Sequence, residues 1–450
     1  MFRIIEFAKD LKSDHDPNNF YASFVPNQNI ALVPYFTLES GIILELVPVA
    51  YSNWGILNKN GDNVLVVCHA LTGSSDAIDW WRPLMGPGKA LDYSRYFIFC
   101  ANVLGSPYGS ASPLSTNPKT GIAYGPTFPN TTIRDDVRIH KLVLDALGVR
   151  SIAAVIGGSM GGMTTLEWPL CTPPGYVKSI IPITTSAYHG AWGISWGETQ
   201  RQSIFTDSTF KNGWYSPTPE GQPQKGLGTA RMIAMLTYRS HVSFEKRFSR
   251  KPAAPKKTTK QTTKLPTPPS SRRGSITSDD ENADKNLSSI TFSTQSYLQY
   301  QAEKFLKRFD ANCYIHLTRK MDSHDITKHI HASLDHQDSY PPSLEVLTTV
   351  LKSVPPKALV VSVETDVLFR PEQQVELAKC LPDAKYVALD SQDGHDGFLL
   401  EFQALNAIIR NHLMERCPWI YDGEKVEIAA EVRSENLITS VFGEAESVEF

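Results

Sequence analysis

The sequence predicts an α/β fold, a mainly parallel sheet with helices on both faces, interrupted by an inserted helical lid. Three observations carry this expectation. Short apolar runs of strand-forming residues recur at 64–68, 96–103, 151–156, 177–184, 358–363 and 384–389, with helix-period segments between several of them. From about 190 to 341 that alternation stops and helical patterning takes over. The run at 151–156 also passes into helix through Gly157-Gly158-Ser159-Met160-Gly161, which leaves room only for a very tight strand-to-helix turn.

Bulk composition narrows the class. A chain of 450 residues with 41% hydrophobic content supports a large core. A net charge of -3 and a pI near 6.5 give no electrostatic reason to expect nucleic acid or an anionic membrane. The six cysteines lie far apart, without CxxC or Cys/His metal spacing, and several sit in apolar runs. Buried free thiols in a reducing compartment are therefore expected. The first twenty residues hold no apolar core of signal-peptide length and nothing later approaches a membrane span, so the cytoplasm is the expected location.

In chain order, apolar stretches at 36–39 and 42–51 flank Ser40-Gly41 and predict a hairpin opening the sheet. Asn60-Gly61 is a second turn, followed by the strand at 64–68. That strand ends in His69-Ala70-Leu71-Thr72-Gly73, at the strand end where ligand-binding loops gather in open α/β sheets. After the strand at 96–103 comes a long loop, 105–129, rich in Gly, Pro, Ser and Thr, a length that usually serves function. Ile133, Val137 and Leu144 mark a helix over 132–147.

In the lid, 230–240 and 295–309 are the clearest helices. Residues 251–289 are almost free of large apolar side chains and are expected to be a disordered insert. A helix at 371–381 separates the last two strands, and Phe398, Phe402, Leu405, Ile409 and Leu413 predict a closing amphipathic helix. The expected division is a core at 1–189, a lid at 190–341, a second core segment at 342–421 and an acidic tail at 422–450.

Chemistry concentrates at Ser159. A serine in a G-x-S-x-G strand-to-helix turn has its hydroxyl clear of the sheet, and the next N–H, that of Met160, stands at a helix N-terminus where an oxyanion is stabilised. Such a serine needs a base and the base an orienting acid, in the chain order Ser, Asp or Glu, His, each after a strand. Asp366 follows the strand at 358–363, with Glu364 as its rival, and His395 follows the strand at 384–389 between Gly394 and Asp396-Gly397. His69 precedes the nucleophile and is the weaker base. The loop that carries it offers the Leu71 N–H as second oxyanion donor.

Taken together, His69-Ala70-Leu71-Thr72-Gly73, Gly157-Gly158-Ser159-Met160-Gly161-Gly162-Met163, Ala230-Arg231-Met232, Thr237-Tyr238-Arg239-Ser240, Arg308-Phe309-Asp310-Ala311-Asn312 and Gly394-His395-Asp396 resemble the homoserine O-acetyltransferase family in its fungal form. The resemblance runs from about 35 to 412, apart from the insert. It implies an α/β-hydrolase fold with a helical lid, and ping-pong acetyl transfer from acetyl-CoA to L-homoserine in methionine biosynthesis.

Ser159 is then the nucleophile, His395 the base and acid, Asp366 its partner, and Leu71 and Met160 the oxyanion donors. Arg231 is expected to bind the carboxylate of homoserine, Tyr238 to line the same pocket, and Asp396 to take the ammonium group. Arg231 and Tyr238, seven apart on one helix, would face the same way. The resemblance also implies a homodimer through the lid helices, with acetyl-CoA as co-substrate and no permanently bound cofactor or metal.

Two features depart from the family: the insert, and Thr365 where serine often precedes the aspartate. Rival acceptors and donors stay open, because one methylene changes binding by only about 1 to 3 kcal/mol. These are serine for homoserine, succinyl-CoA for acetyl-CoA, or water in a serine hydrolase. Arg272-Arg273-Gly274-Ser275 within the insert reads as a candidate kinase site.

Overall fold

The computed structural model describes residues 6–8, 19–253, 292–328 and 341–422. Nine strands form one sheet: β1 (Glu6–Ala8), β2 (Asn29–Thr37), β3 (Ile43–Trp54), β4 (Val64–Cys68), β5 (Phe97–Ala101), β6 (Ile152–Gly158), β7 (Ile180–Ile183), β8 (Leu359–Val363) and β9 (Lys385–Leu389). Their order is β1-β2-β3-β5-β4-β6-β7-β8-β9. The first three and the β3–β5 contact are antiparallel, and every pairing from β5 to β9 is parallel.

Burial follows from this order. Strands β4, β5, β6 and β8 are buried at every position, as central parallel strands covered on both faces must be. Alternate residues feed two cores. Val64, Val66 and Cys68 join the cluster that takes in α2 (Ile133–Ala146) and α3 (Met160–Leu170), while Leu65 and Val67 join Trp81, Leu405, Ile409 and Leu413 on the other face. Helix α2 starts at a capping box, where the Thr132 hydroxyl accepts from Asp135 N–H and the Asp135 carboxylate accepts from Thr132 N–H. On the second face lie α1 (Ala77–Trp81), α11 (Gly397–Leu400) and α12 (Phe402–Arg416), while α9 (Leu344–Leu351) and α10 (Pro371–Cys380) belong to the first.

Between β7 and β8 the chain builds α4 (Ala191–Phe205), α5 (Gln224–Tyr238), α6 (His241–Arg247), α7 (Ser293–Leu306) and α8 (Ala311–Asp322). Their shared core contains Leu227, Ala230, Phe305, Phe309 and Tyr314, and also Met160 and Met163 of the elbow helix. The lid is thus packed onto the turn that carries Ser159. Pro252 and Phe292 form an isolated bridge, and Ser293 N–H donates to the Lys251 carbonyl at 2.9 Å. The chain therefore leaves and re-enters the lid at one point.

The structure corrects one expectation, that of a single closing helix, and places two other regions more finely. Of the expected disordered insert only residues 251–253 are described; the rest of it, Ser275 included, lies outside the described residues, as does the tail from 423. Helix α4 has a buried face of Gly193, Gly197, Gln200, Arg201 and Ile204, too polar and too small to give an apolar period. The closing helix is broken at Glu401 (φ -81°, ψ 53°) into α11 and α12. Beside the break the Phe398 carbonyl accepts from Trp81 Nε1 at 3.4 Å. Among the described residues no helix is long and apolar enough to cross a membrane.

A tight contact beside the Ser159 turn yields a test. A Cβ on Gly161 would lie 2.1 Å from the Cys68 carbonyl oxygen, whereas one on Gly228, also helical, would meet Leu306 Cδ1 only at 3.7 Å. Gly161→Ala is expected to lose about 3 kcal/mol or more of stability, and Gly228→Ala to be neutral or stabilising by up to about 1 kcal/mol. Chemical denaturation of both variants checks the contrast.

Candidate active site

Ser159 holds φ 59° and ψ -125°, a conformation a non-glycine residue keeps only when its surroundings enforce it. They do so through the backbone. Ser159 N–H donates to the Ile183 carbonyl at 3.0 Å, and its own carbonyl accepts from Gly162 N–H at 2.9 Å and Thr185 Oγ1 at 2.9 Å. The four neighbouring glycines are needed for space rather than for unusual torsions. A Cβ on Gly157 would sit 2.3 Å from the Gly161 carbonyl oxygen, on Gly158 2.5 Å from the Phe398 ring, and on Gly162 2.5 Å from Thr185 Cβ. As the first residue of α3, Met160 has no carbonyl in its own helix to receive its N–H.

Asp366 and His395 come together from the loops after β8 and β9. His395 Nδ1 donates to Asp366 Oδ2 at 2.7 Å, and Asp366 Oδ1 accepts from Leu368 N–H at 2.8 Å and Phe369 N–H at 2.9 Å. With both carboxylate oxygens engaged, Nδ1 carries the proton and Nε2 is the basic nitrogen. The imidazole stacks on Phe369 at 5.4 Å, meets the edge of Phe398 and lies 6.2 Å from the Tyr238 ring. Glu364, the rival acid, is exposed.

Thr365 joins the two loops. Its hydroxyl donates to the Ser391 carbonyl at 2.7 Å and accepts from Gly394 N–H at 3.0 Å, a task the hydroxyl of serine could share. Gly394 has φ 66°, and a Cβ there would lie 2.6 Å from Ser240 N, because the end of α5 rests against this loop.

Two cavities meet at Ser159, Leu71 and Tyr238. One is also lined by Thr72, Trp80, His395, Asp396 and Phe398. Asp396 thus reaches the cavity beside the nucleophile, and its Oδ2 accepts from Arg239 Nε at 3.1 Å. Arg231, 2% exposed, lies behind Tyr238 with its guanidinium 5.5 Å from that ring and 4.8 Å from the Phe305 ring. Arg231 and Tyr238 do face the same way.

His69 lies beneath the Leu71 loop. Its Nδ1 donates to the Ala70 carbonyl at 2.8 Å, and its Nε2 accepts from Val103 N–H at 3.2 Å. The ring positions the oxyanion loop and is turned away from base chemistry. Burial lowers its pKa from 6.5 to about 4, opposed by the Ala70 hydrogen bond and assisted by the charge of Lys320.

Two roles went unassigned from sequence. Arg239 ties α5 to the histidine loop through Asp396 and, at 2.9 Å, Asp393; the sequence signal is an arginine in Thr237-Tyr238-Arg239-Ser240 and the aspartates on either side of Gly394-His395. Arg308 Nη1 donates to the Thr72 carbonyl and to Tyr108 Oη, each at 3.1 Å, while Asp310 caps α8 through Cys313 N–H at 3.0 Å. The Arg308–Asn312 stretch therefore clamps the lid to the oxyanion loop.

Chemically, a buried serine shares a cavity with a histidine that an aspartate orients, an arrangement suited to acyl transfer. A profile described as the alpha/beta hydrolase fold matches residues 63–402. A protein of Cryptococcus neoformans var. grubii named homoserine O-acetyltransferase is 45% identical over 510 aligned residues, covering 95% of this chain and 96% of that one. Among solved structures, the homoserine O-acetyltransferase of Bacillus anthracis superposes with a TM-score of 0.70 at 22% identity, covering 89% of this chain and 98% of its own. An esterase, E22, superposes with a TM-score of 0.68 at 26% identity, covering 86% and 99%.

Two variants test the positioning groups. Thr365→Val should fold and lose about tenfold in kcat, with Thr365→Ser near wild type in steady-state assays. A neutral His69 contributes stability fully present above pH 6.5 and lost as pH falls through about 4. The stability difference between wild type and His69→Gln should therefore narrow over that window in denaturation series. A constant difference would contradict the burial argument.

Proposed function

The chain belongs to the homoserine O-acetyltransferase family of α/β-hydrolase-fold acyltransferases, and from that premise we propose that it moves acetyl from acetyl-CoA to the hydroxyl of L-homoserine by a ping-pong route through acetyl-Ser159. The observation that carries this reading is the buried Ser159 and His395–Asp366 set sharing one cavity with Asp396, with Arg231 close behind Tyr238. A hydrolase has no use for a carboxylate in the cavity of its nucleophile and an arginine behind the facing wall; a zwitterionic acceptor does.

In the first half-reaction His395 Nε2 takes the Ser159 proton as Oγ attacks the thioester carbonyl. The Leu71 and Met160 N–H groups stabilise the tetrahedral oxyanion, and its collapse expels the CoA thiolate, which leaves as the thiol with the proton from His395. In the second, His395 deprotonates the homoserine hydroxyl, which attacks the acetyl ester; collapse returns the proton to Ser159 Oγ and releases O-acetylhomoserine. Asp366 steadies the imidazolium in both. Arg231 would supply the positive charge for the acceptor's carboxylate, Tyr238 the wall, and Asp396 the negative charge for its ammonium. A carboxylate has lone pairs beyond the one given to Arg239.

The product places the enzyme in methionine biosynthesis, in the cytoplasm, where the six free cysteines of the structure would stay reduced. A homodimer through the lid is the proposed assembly, supported by the exposure of Leu236 and Val242 on α5 and α6. Hydrolysis is the second reading, supported by the likeness to esterase E22.

CoA release from acetyl-CoA, with homoserine, serine or no acceptor, discriminates these readings. Release is expected to depend on homoserine and to fall by about 10⁴-fold or more in Ser159→Ala. Equal release without acceptor would make the protein a hydrolase, and preference for serine would replace the acceptor.

A further inference from the structure

Outside the residues assigned above, one polar set in the lid is buried with hydrogen-bonding capacity unused. Arg201 on α4 is 4% exposed. Its Nη2 meets Asp322 Oδ2 at 2.6 Å and Glu198 Oε2 at 2.9 Å, and its Nε donates to Glu198 Oε2 at 3.0 Å. Arg201 Nη1, Asp322 Oδ1 and Trp196 Nε1 are buried without a hydrogen-bond partner among the described residues. Buried polar atoms are costly when unmet, so three in one place point to a ligand.

Trp196 and Asp322 line one space, and Arg201 Nη1 lies at its edge beside Gly197. Trp196, Gly197 and Asp322 line the second cavity at Ser159. A Cβ on Gly197 would lie 3.2 Å from Arg201 Nη1 and 3.4 Å from Asp322 Oδ1, so the glycine leaves open the volume that both atoms border. This cavity shares His189, Gly193, Asp322 and Leu368 with a wider cleft reaching the exposed Trp192 and Arg370, away from His395. The site is a passage from Ser159 outward, suited to a long ligand.

Its charge selects the chemistry. Arg201 is already balanced by Asp322 and Glu198, and His189, whose Nε2 lies 4.0 Å from Asp322 Oδ1, is kept neutral by burial, which lowers its pKa to about 4; Arg201, Asp322 and Glu198 together carry one formal negative charge, with no surplus cation for a carboxylate. An ammonium would satisfy Asp322 Oδ1 and leave both donors unmet. A secondary amide offers one N–H and one carbonyl oxygen, and meets all three.

We propose that Trp196, Arg201 and Asp322 form the subsite for the amide-bearing arm of the acyl thioester: an arm N–H donates to Asp322 Oδ1, and an arm carbonyl accepts from Trp196 Nε1 and Arg201 Nη1. This rests on the reading that the donor is a CoA thioester. The arm lies in the lid cavity with the thioester carbonyl at Ser159, leaving the cavity with Asp396 for the acceptor.

Steady-state kinetics of wild type, Trp196→Phe and Gly197→Ala with acetyl-CoA, and with p-nitrophenyl acetate as an acetyl donor that lacks the arm, test the assignment. KM for acetyl-CoA should rise about 5- to 20-fold in each variant. Turnover of p-nitrophenyl acetate and KM for homoserine should stay within about twofold. Equal losses on both acetyl donors would reduce the set to a structural role and overturn the assignment. A raised homoserine KM with unchanged acetyl-CoA KM would make it the acceptor's site and overturn it equally. Should Gly197→Ala fail to fold, Trp196→Phe decides alone. Wild-type turnover of p-nitrophenyl acetate but not of acetyl-CoA would remove the CoA reading itself, a result independent of either variant.

Discussion

The arrangement depends on one steric constraint, the approach of α3 to the end of β4 at the Ser159 turn. Gly161 passes so close to the Cys68 carbonyl that no side chain fits between them. That contact brings the Leu71 loop, which continues β4, alongside the first N–H of α3. Leu71 and Ser159, from segments about ninety residues apart, thus line one cavity. The strained serine backbone and the tight glycines serve the same end, since relaxing either would separate the nucleophile from its donors.

The lid and the base form a second unit. Arg239, Ser240 and Ser243 all bond to the loop at 391–396: Arg239 to Asp393 and Asp396, the Ser240 hydroxyl to the Gln392 carbonyl, and the Ser243 hydroxyl to Asp393 at 2.6 Å. Gly394 permits the contact by having no side chain. His395 and the end of α5 therefore hold one geometry, and Tyr238, Asp396 and the imidazole keep their spacing as a group. Arg308 does the same for the oxyanion loop from the other side of the lid. Accordingly, the lid serves as a wall of the site as well as a cover.

Much of this was legible in the sequence, for physical reasons that differ by element. Central strands such as 64–68 announce themselves because burial on both faces requires an unbroken apolar run. Ser159, Asp366 and His395 could be placed because each follows a strand and the fold fixes their chain order. What stayed hidden depends on contacts between distant segments. Helix α4 buries glycine, glutamine and arginine, so no apolar stripe marks it. Position favoured Asp366 over Glu364, and the hydrogen bond to His395 agrees, whereas the work of Thr365 and Arg239 shows only in the loops they join. The break at Glu401 left the apolar spacing intact, and periodicity could not reveal it.

The central claim is that Ser159 carries the acetyl group between donor and acceptor. Mass spectrometry of the peptide containing Ser159, after mixing the protein with acetyl-CoA in the absence of acceptor, tests it most directly. The account predicts one added acetyl group on Ser159, discharged on adding homoserine with formation of O-acetylhomoserine. An unmodified Ser159 while transfer proceeds, or an acetyl-serine that homoserine does not discharge, would contradict it.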